Sequence, residues 1–263
     1  MSQYLKKQVF LLICILSLCV AIPVQATNRV ALLIGNQSYK NDNPLKNPVR
    51  DVGLIKKTLV SVGFKVIAHS NLSRSGMKQA LRAFQNSLQP GDVGLVYYSG
   101  HGLQYQNDNY LIPVDANIAA ANEIPYEAMS SQQLLSYMDQ AATRIVILDA
   151  CRDNPYQTGG KGIGKGLGRQ DLATSRNTLI AFAAAPNQQA QDGNGINSPY
   201  ALALASAISQ QGLSIESVFK RVRKQVVNNT ANNQTPWYNA SMENEFYFSN
   251  SDSVPNPVDP SEA

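Results

Sequence analysis

The chain is poor in the residue types that build disulfide frameworks and histidine-rich metal centres. Its 263 residues include 3 cysteines, 2 histidines and 1 tryptophan. Three cysteines exclude a disulfide-dense scaffold and leave one thiol without a partner, and two histidines exclude a histidine-rich metal cluster. Charged residues make up only 15% of the chain against 44% apolar residues. This balance excludes a disordered or fibrous protein and allows a sizeable core.

The excess of positive charge is also small. The formal net charge is +4 at pH 7, without the concentrated basic patch that is typical of nucleic-acid binding. We therefore expect no nucleic-acid partner. Four basic residues on one helical stretch are interpreted as a solvated face: Lys220, Arg221, Arg223 and Lys224.

One long hydrophobic run stands at the N-terminus. Two lysines precede an apolar stretch over residues 9–24, which leads into the cleavage-like tripeptide Val24-Gln25-Ala26. This pattern predicts a signal peptide over residues 1–26. A membrane anchor is the alternative, although the run is short for a span of about 20 residues. Cleavage after Ala26 predicts a periplasmic or secreted protein, with no membrane partner after signal removal.

Only one cysteine remains after that cleavage. Cys14 and Cys19 lie inside the signal segment, which leaves Cys151 as the single thiol of the mature chain. A lone thiol cannot form an internal disulfide, even in an oxidising compartment. Cys151 is therefore either an inert buried thiol or a reactive one.

Short apolar runs alternate with stretches of helical periodicity in the rest of the chain. The runs predict strands at 29–35, 64–68, 92–98, 144–148 and 178–183, a hairpin over 105–114 and a last strand within 238–248. The periodic stretches predict helices from Asp51, from Ser73, and over 132–140, 199–208 and 214–227. This alternation predicts an α/β fold, with a mostly parallel central sheet covered by helices on both faces.

Two stretches differ in composition from the rest. Residues 157–177 are rich in glycine and basic side chains, which predicts a flexible surface loop. Residues 250–263 are rich in proline, serine and aspartate, which predicts a disordered tail. One domain over residues 27–249 is therefore expected between the signal peptide and the tail.

Two of the predicted strands lead into residues that can perform chemistry. One runs into Ser99-Gly100-His101-Gly102, and another runs into Asp149-Ala150-Cys151-Arg152. Since ligands bind beyond the carboxyl ends of parallel strands, we expect His101 and Cys151 at one edge of the sheet.

A cysteine and a histidine at one edge suggest covalent catalysis. A thiolate can attack a carbonyl while an imidazole supplies a proton to the leaving amine, and the N–H groups of Gly102 and Cys151 are candidate oxyanion donors. Taken singly, Cys151 could instead be buried and inert, and His101 a structural histidine. The other histidine, His69, follows a predicted strand and is interpreted as a surface residue.

The blocks around His101 and Cys151 resemble the catalytic blocks of caspase-like cysteine peptidases. The resemblance lies in Tyr97–Gly102 and Leu148–Pro155 and is strongest to the bacterial metacaspase or orthocaspase branch. Supporting matches lie at Ala31–Asn36, Asn47–Asp51, Asn197–Tyr200 and Thr235–Trp237. The resemblance covers about Arg29 to Ser249. It implies a caspase-like fold and a thiol endopeptidase with His101 and Cys151 as its dyad. It also implies a large part over 27–156 and a small part over 178–249, separated by the 157–177 loop.

The same resemblance implies a preference for basic side chains. In metacaspases, an aspartate two residues before the cysteine helps to bind a basic side chain, and Asp149 holds that position. Asp51 matches a second pocket aspartate and Ser99 a pocket serine. Because two carboxylates favour an Arg or Lys guest, the predicted partners are proteins or peptides with Arg or Lys at the cleavage position. Alternatively, Asp51 only caps its helix and Asp149 only ends a strand.

If the enzyme cuts after basic residues, the basic residues of its own 157–177 loop are possible substrates. Four of its residues become candidate self-cleavage sites: Lys161, Lys165, Arg169 and Arg176. The alternative is a linker that is never cut.

Some metacaspase-like enzymes need calcium, but the acidic residues here are too scattered to indicate a site, and we predict no cofactor or metal. A second hypothesis is a caspase-fold binding or scaffold module with little turnover.

Overall fold

The computed structural model describes residues 27–151, 163–164, 167, 176–185, 188, 190–193 and 195–249, with the backbone alone at 151 and 163–164. Over these residues the chain forms nine strands and six α-helices. The strands are β1 Arg29–Gly35, β2 Lys65–Ser70, β3 Val93–Tyr105, β4 Asp108–Leu111, β5 Met129–Ser130, β6 Thr143–Cys151, β7 Ile163–Gly164, β8 Thr178–Phe182 and β9 Trp237–Ala240. The helices are α1 Pro48–Ser61, α2 Arg74–Ser87, α3 Ile124–Glu127, α4 Ser131–Ser136, α5 Pro199–Ile208 and α6 Ile215–Asn229.

One sheet organises the fold. Six of its strands run in the order β2-β1-β3-β6-β8-β9. The first five are parallel to their neighbours, and β9 is antiparallel to β8. The short strands β4 and β7 pair antiparallel with the end of β3, and β5 pairs with β4. The predicted α/β fold with a mostly parallel central sheet is confirmed.

Helices cover both faces of this sheet. Leu33 and Tyr97 pack with residues of α1, α5 and α6 on one face. Leu32 and Tyr98 pack with residues of α2 and α4 on the other. Since successive side chains of a strand point to opposite faces, strands buried on both sides consist of the continuous apolar runs that predicted them.

Several helix starts follow the local sequence. Ser73 Oγ accepts a hydrogen bond from Gly76 N at 3.1 Å and caps α2, as predicted. Helix α1 begins at Pro48, earlier than predicted, because proline is well suited to a first helical position. Asp51 therefore lies inside the helix and receives no capping bond from it, so its interpretation as a simple helix cap is wrong.

Two central strands are longer than predicted. β3 continues past Tyr98 to Tyr105, and β6 continues to Cys151. The polar sequence after Tyr98 carries little strand signal of its own, but ladder pairing with β6 and with β4 extends it. The hairpin itself occurs as predicted, with its turn at Gln106 and Asn107, whose φ angles are 48° and 66°.

A few residues of the predicted 157–177 loop are described, and the expectation for His69 needs correction. Part of the 157–177 segment is packed on the domain, because Ile163–Gly164 pairs with β3 and Leu167 is buried. The composition favoured a flexible loop, but the edge of the β3 hairpin offers backbone groups that pair with it. His69 lies within β2, opposite Ile34, and is half-buried, so it is not a surface residue beyond a strand.

Gly35 marks a close approach between β1 and α1. A Cβ at this position would lie 2.7 Å from Pro48 O and 3.0 Å from Val52 Cγ2. Because a backbone oxygen cannot easily yield, Gly35→Ala is expected to lower the free energy of unfolding by about 2–3 kcal/mol. Denaturant unfolding measures this. Gly53→Ala is the control, since its Cβ meets nothing within 4 Å, and it should stabilise the protein by up to about 1 kcal/mol. Equal stabilities of the two variants would contradict this packing.

Candidate active site

The sheet places His101 beside the backbone of Cys151. The two residues form the last pair of the β3–β6 ladder, two positions beyond the pair Ser99–Asp149. His101 is 3% exposed. Parallel pairing therefore brings together two residues that are 50 positions apart, at the carboxyl edge of the sheet where the sequence predicted them.

The segment after β1 holds the His101 ring. Its Nε2 lies 2.8 Å from Asn43 O, and the Tyr39 ring lies 4.4 Å from the imidazole, centroid to centroid. A carbonyl oxygen only accepts, so Nε2 carries the hydrogen of the neutral imidazole. The other nitrogen, Nδ1, is buried and has no hydrogen-bond partner within the described part of the chain. One nitrogen is thus fixed in place, and the other is the basic one.

Two tyrosines fix the backbone that carries this ring. The His101 N–H donates to Tyr39 Oη at 2.7 Å. Tyr98 Oη lies 2.8 Å from His101 O and 2.9 Å from Ile112 O, to which it donates. The position of the imidazole is therefore set by the strand as well as by its own contacts.

The predicted oxyanion donors lie at the same edge. The His101 N–H and C=O both bond toward the side of β1 and β4, where Tyr39 and Ile112 lie. Since these groups alternate along a strand, the Gly102 N–H points to the opposite side, toward β6 and Cys151. The ladder reaches Cys151, so the N–H groups of Gly102 and Cys151 face the neighbouring strand. A substrate oxygen would have to replace a carbonyl partner there.

The three predicted pocket residues also lie together. Asp51 on α1 and Asp149 on β6 are joined by Ser198, whose N–H donates to Asp51 Oδ1 at 3.0 Å and whose Oγ donates to Asp149 Oδ2 at 2.8 Å. Tyr97 Oη donates to Asp149 Oδ2 at 3.1 Å. Ser99 is buried and is the register partner of Asp149. Asp149 lies within β6 and not at its end, so the simple strand-end interpretation does not describe it.

Burial disfavours the ionised form of both carboxylates. Burial, and secondly the charge of Asp51, raise the pKa of Asp149 to about 8, against opposing hydrogen bonds from Ser198 and Tyr97. Burial likewise raises the pKa of Asp51, against opposing bonds from Asn197 and Ser198. Two like charges in one buried site disfavour each other. The pair therefore favours a protonated carboxyl group or a positively charged guest.

Unsatisfied polar atoms concentrate at this edge. Buried polar groups nearly always have a hydrogen-bond partner, so each exception needs an explanation. Four buried side-chain atoms lack one within the described residues: Asp51 Oδ2, His101 Nδ1, Tyr200 Oη and Trp237 Nε1. Two of them belong to predicted site residues. The pKa of a third, Tyr200, is raised by burial and then by the charge of Asp149. The fourth belongs to Trp237, which stacks on Phe182 at 5.1 Å.

The sequence did not assign several residues of this arrangement. Ser198 belongs to the Asn197–Tyr200 match, where serine before proline signals only a helix start. Asp192 accepts the backbone N–H groups of Lys46 and Asn47, at 2.7 and 3.2 Å, and its charge further raises the pKa of Asp51 and Asp149. No spacing pattern links Asp192 to the other two aspartates, because only folding brings these segments together.

The candidate self-cleavage sites are only partly described. Lys161, Lys165 and Arg169 lie outside the described residues. Arg176 is exposed and forms a bidentate ion pair with Glu243, with N–O distances of 2.7 and 2.9 Å. Its carbonyl oxygen accepts from Arg144 Nη2 and Thr178 Oγ1, which hold this peptide against the domain. Leu167 belongs to the same apolar cluster as Ala150, the residue before Cys151.

The described residues lack two kinds of feature, a membrane-spanning helix and a metal-binding cluster. None of the helices described above combines the length and apolar character needed to cross a bilayer. No group of three or more His, Cys, Asp or Glu side chains within the described ranges is arranged to hold a metal ion.

Comparison with known proteins identifies two relatives and the family of this chain. The chain is 34% identical over 129 residues to human "Mucosa-associated lymphoid tissue lymphoma translocation protein 1" and 35% identical over 129 residues to its Mus musculus homolog. Each match covers 48% of this chain but only 15% of the relative's length. The family model described as "Caspase domain" matches residues 28–247, which include β1 to β9 and every predicted catalytic and pocket residue. The chain therefore belongs to the caspase-domain family.

Proposed function

We propose that this protein is an exported cysteine endopeptidase that hydrolyses peptide bonds after arginine or lysine. The observation that supports it most is the β3–β6 register, in which the pair His101–Cys151 lies two positions beyond the pair Ser99–Asp149. The proposed nucleophile and base are thus close to two buried carboxylates, those of Asp51 and Asp149. The domain type is that of a caspase-like protease; the dyad, the specificity and the export are our proposals.

The orientation of the imidazole supports the following proposed reaction. Nδ1 of His101 takes the proton of the Cys151 thiol, and the thiolate attacks the carbonyl carbon of the substrate. The Nδ1–H then protonates the amine as the C–N bond breaks, which leaves a thioester on Cys151. Water, giving a proton back to Nδ1, hydrolyses the thioester. Throughout, the Nε2–H stays on Asn43 O, so the ring need not turn.

The oxyanion of each tetrahedral intermediate is proposed to bind the N–H groups of Gly102 and Cys151. The Gly102 N–H points toward β6, as this requires. Binding of substrate then opens the last rung of the β3–β6 ladder, so that the substrate oxygen replaces a strand carbonyl. Such donors are effective because they are fixed before charge develops.

The acidic pocket is proposed to bind the basic side chain. Asp51 Oδ2 has no hydrogen-bond partner within the described residues and can accept from a guanidinium or ammonium group. A guest cation also relieves the repulsion that raises the pKa of Asp149. The pocket is buried, so the guest loses water, and a neutral or acidic side chain would leave the carboxylates unpaired. Asp192 adds negative charge nearby.

Substitution of Ser198 tests the pocket, because a control variant separates the two roles of this residue. It caps α5 through Ala201 N and also joins the two carboxylates. Ser198→Ala is expected to lower kcat/KM for an arginine peptide about tenfold or more, since a hydrogen bond to a charged group contributes about 1.5–3 kcal/mol. Ser214→Ala is the control, because Ser214 caps α6 in the same way without touching a carboxylate. Ser214→Ala should lose about 1 kcal/mol of stability, and Ser198→Ala should lose more, since it also removes a hydrogen bond from the buried Asp149. Equal activities of the two variants would contradict the role of Ser198 in the pocket.

Self-processing is proposed for the 157–177 segment. Two described parts of it, Ile163–Gly164 and Leu167, lie against β3 and the Ala150 cluster, close to Cys151. We expect wild-type protein to be cut after Lys161, Lys165 or Arg169, and Cys151→Ala to stay intact. Arg176 is the weakest candidate, because its side chain and carbonyl are both bonded. Intact-mass spectrometry measures this, and identical masses for the two proteins would contradict it.

We also propose that the protein is exported and that it acts without a cofactor. Export rests on the signal-like segment 1–26 and predicts a mature N-terminus at Thr27, which N-terminal sequencing of exported protein can check. The proposed chemistry uses side-chain and backbone groups of this chain alone, so we propose no cofactor.

A further inference from the structure

We propose that Asp42 is a positioning residue for His101, so that the catalytic unit is Cys151, His101 and a buried carboxylate on the segment after β1. This inference rests on the proposed function for its kinetic consequence. Its structural basis is separate, and part of its test needs no turnover. The pattern of His and Cys blocks gave Asp42 no role.

One carboxylate contacts both parts of the arrangement that holds the imidazole. Asp42 Oδ2 lies 4.0 Å from His101 Nε2. Asp42 Oδ1 accepts the Asn43 N–H at 2.7 Å, and the carbonyl of the same Asn43 lies 2.8 Å from Nε2. Asp42 therefore orients the peptide that receives the Nε2 hydrogen and also places negative charge beside it.

The burial of this contact sets it apart. The side chains of His101 and Asp42 are only 4% and 6% exposed. The two other ion-pair contacts within the described residues, Arg144–Asp139 and Arg176–Glu243, each have a strongly exposed side chain. A buried carboxylate loses hydration, which costs free energy unless a cation or hydrogen bonds compensate. At Asp42, a protonated His101 would supply that cation.

The proposed mechanism forms this cation in every cycle. When Nδ1 takes the thiol proton, the ring becomes an imidazolium whose second N–H points at Asn43 O, with the Asp42 charge 4.0 Å away. Attraction between charges at this distance is much stronger in a buried site than in water. Asp42 thus stabilises the charged form that precedes attack and keeps the hydrogen on Nε2 in the neutral form.

Two substitutions separate these contributions. Asp42→Asn keeps an oxygen that can accept from Asn43 N but removes the charge, and Asp42→Ala removes both. Asp115→Asn is the matched control, because Asp115 is also a loop aspartate that accepts one backbone N–H, from Arg74 at 2.8 Å, and it does not contact His101. Thermal unfolding of each variant checks that it is folded.

The kinetic result expected is an effect on turnover. For an arginine peptide, Asp42→Asn should lower kcat about tenfold with KM changed less than about twofold, and Asp42→Ala should lower kcat further. Asp115→Asn should leave both constants unchanged. A purely structural role would instead lower stability without a selective loss of kcat.

A second measurement needs no activity. The chain has 2 histidines, so nitrogen-15 spectra of the Cys151→Ala protein report two imidazoles, with His69 as internal reference. We expect His101 to show the hydrogen on Nε2, and Asp42→Asn to shift its ring signals while those of His69 stay constant. Unchanged His101 signals in both Asp42 variants would overturn the proposal. An enzyme without turnover on any peptide would instead overturn the proposed function, and the spectra would still decide the role of Asp42.

Discussion

Cys151→Ala is expected to lower kcat/KM for an arginine peptide by a factor of about 10³ or more, because it removes the atom that we propose forms the covalent intermediate. His101→Ala should cause a loss of similar size, since the thiol and the imidazole are proposed to act as one unit. Release of a fluorescent amine from an arginine peptide measures both. His69→Ala is the control for the second variant, because this half-buried histidine in β2 lies outside the dyad.

The possible outcomes separate the two classes of function. Activity that survives in Cys151→Ala would show that another group is the nucleophile. A folded wild type without turnover on any peptide, including after removal of the 157–177 linker by an added protease, would favour the scaffold alternative. Loss in both dyad variants with full activity in His69→Ala supports the enzyme.

Asp149→Asn is expected to lower kcat/KM for arginine and lysine peptides by a factor of about 10² to 10³, because a buried basic guest would lose its charged partner. The asparagine oxygen can still accept from Ser198 and Tyr97, so the local structure should persist. Asp139→Asn is the control, since the side chain of Asp139 is 68% exposed. A stable Asp149→Asn protein with an unchanged preference for arginine would show that Asp149 is structural.

The same variant should be more stable than wild type at alkaline pH. The folded-state pKa of Asp149 is raised from 3.8 to about 8, so the folded chain holds a proton that the unfolded chain releases. Wild-type stability therefore falls as pH rises through this window. Asp149→Asn removes much of this dependence. Its Tm should exceed that of wild type at pH 8, by about 2–4 °C for each kcal/mol gained. A lower Tm would contradict the cost of a buried Asp149 charge close to Asp51.

The sequence carried much of the information about the fold. Buried strands such as β1 and β8 are continuous apolar runs, and helices such as α2 carry both a cap and an apolar stripe, so local sequence predicts them. The extension of β3 from Tyr98 to Tyr105 could not be predicted this way. Its glycines and polar residues become a strand only because β6 and β4 lie on either side.

The residues of the candidate site likewise fall into those that local sequence predicts and those that only the fold brings together. His101, Cys151 and Asp149 directly follow apolar runs in two paired parallel strands, and ligands bind toward the carboxyl ends of such strands, so the sequence could single these residues out. Ser198 and Asp42 gave no such signal, because their partners are far away in sequence. Ser198 meets Asp51 across 147 positions, and Asp42 reaches His101 through a loop whose path no local rule determines.

We propose above all that a cysteine dyad and an acidic pocket act together on peptide bonds after basic residues. Its most direct test is kcat/KM of the wild-type enzyme for matched peptides ending in arginine, citrulline or aspartate before a fluorescent amine. Citrulline keeps the shape of arginine but not its charge. We predict cleavage after arginine, at least about 10²-fold slower cleavage after citrulline, and none after aspartate. Equal rates for arginine and citrulline, or cleavage after aspartate alone, would contradict the account.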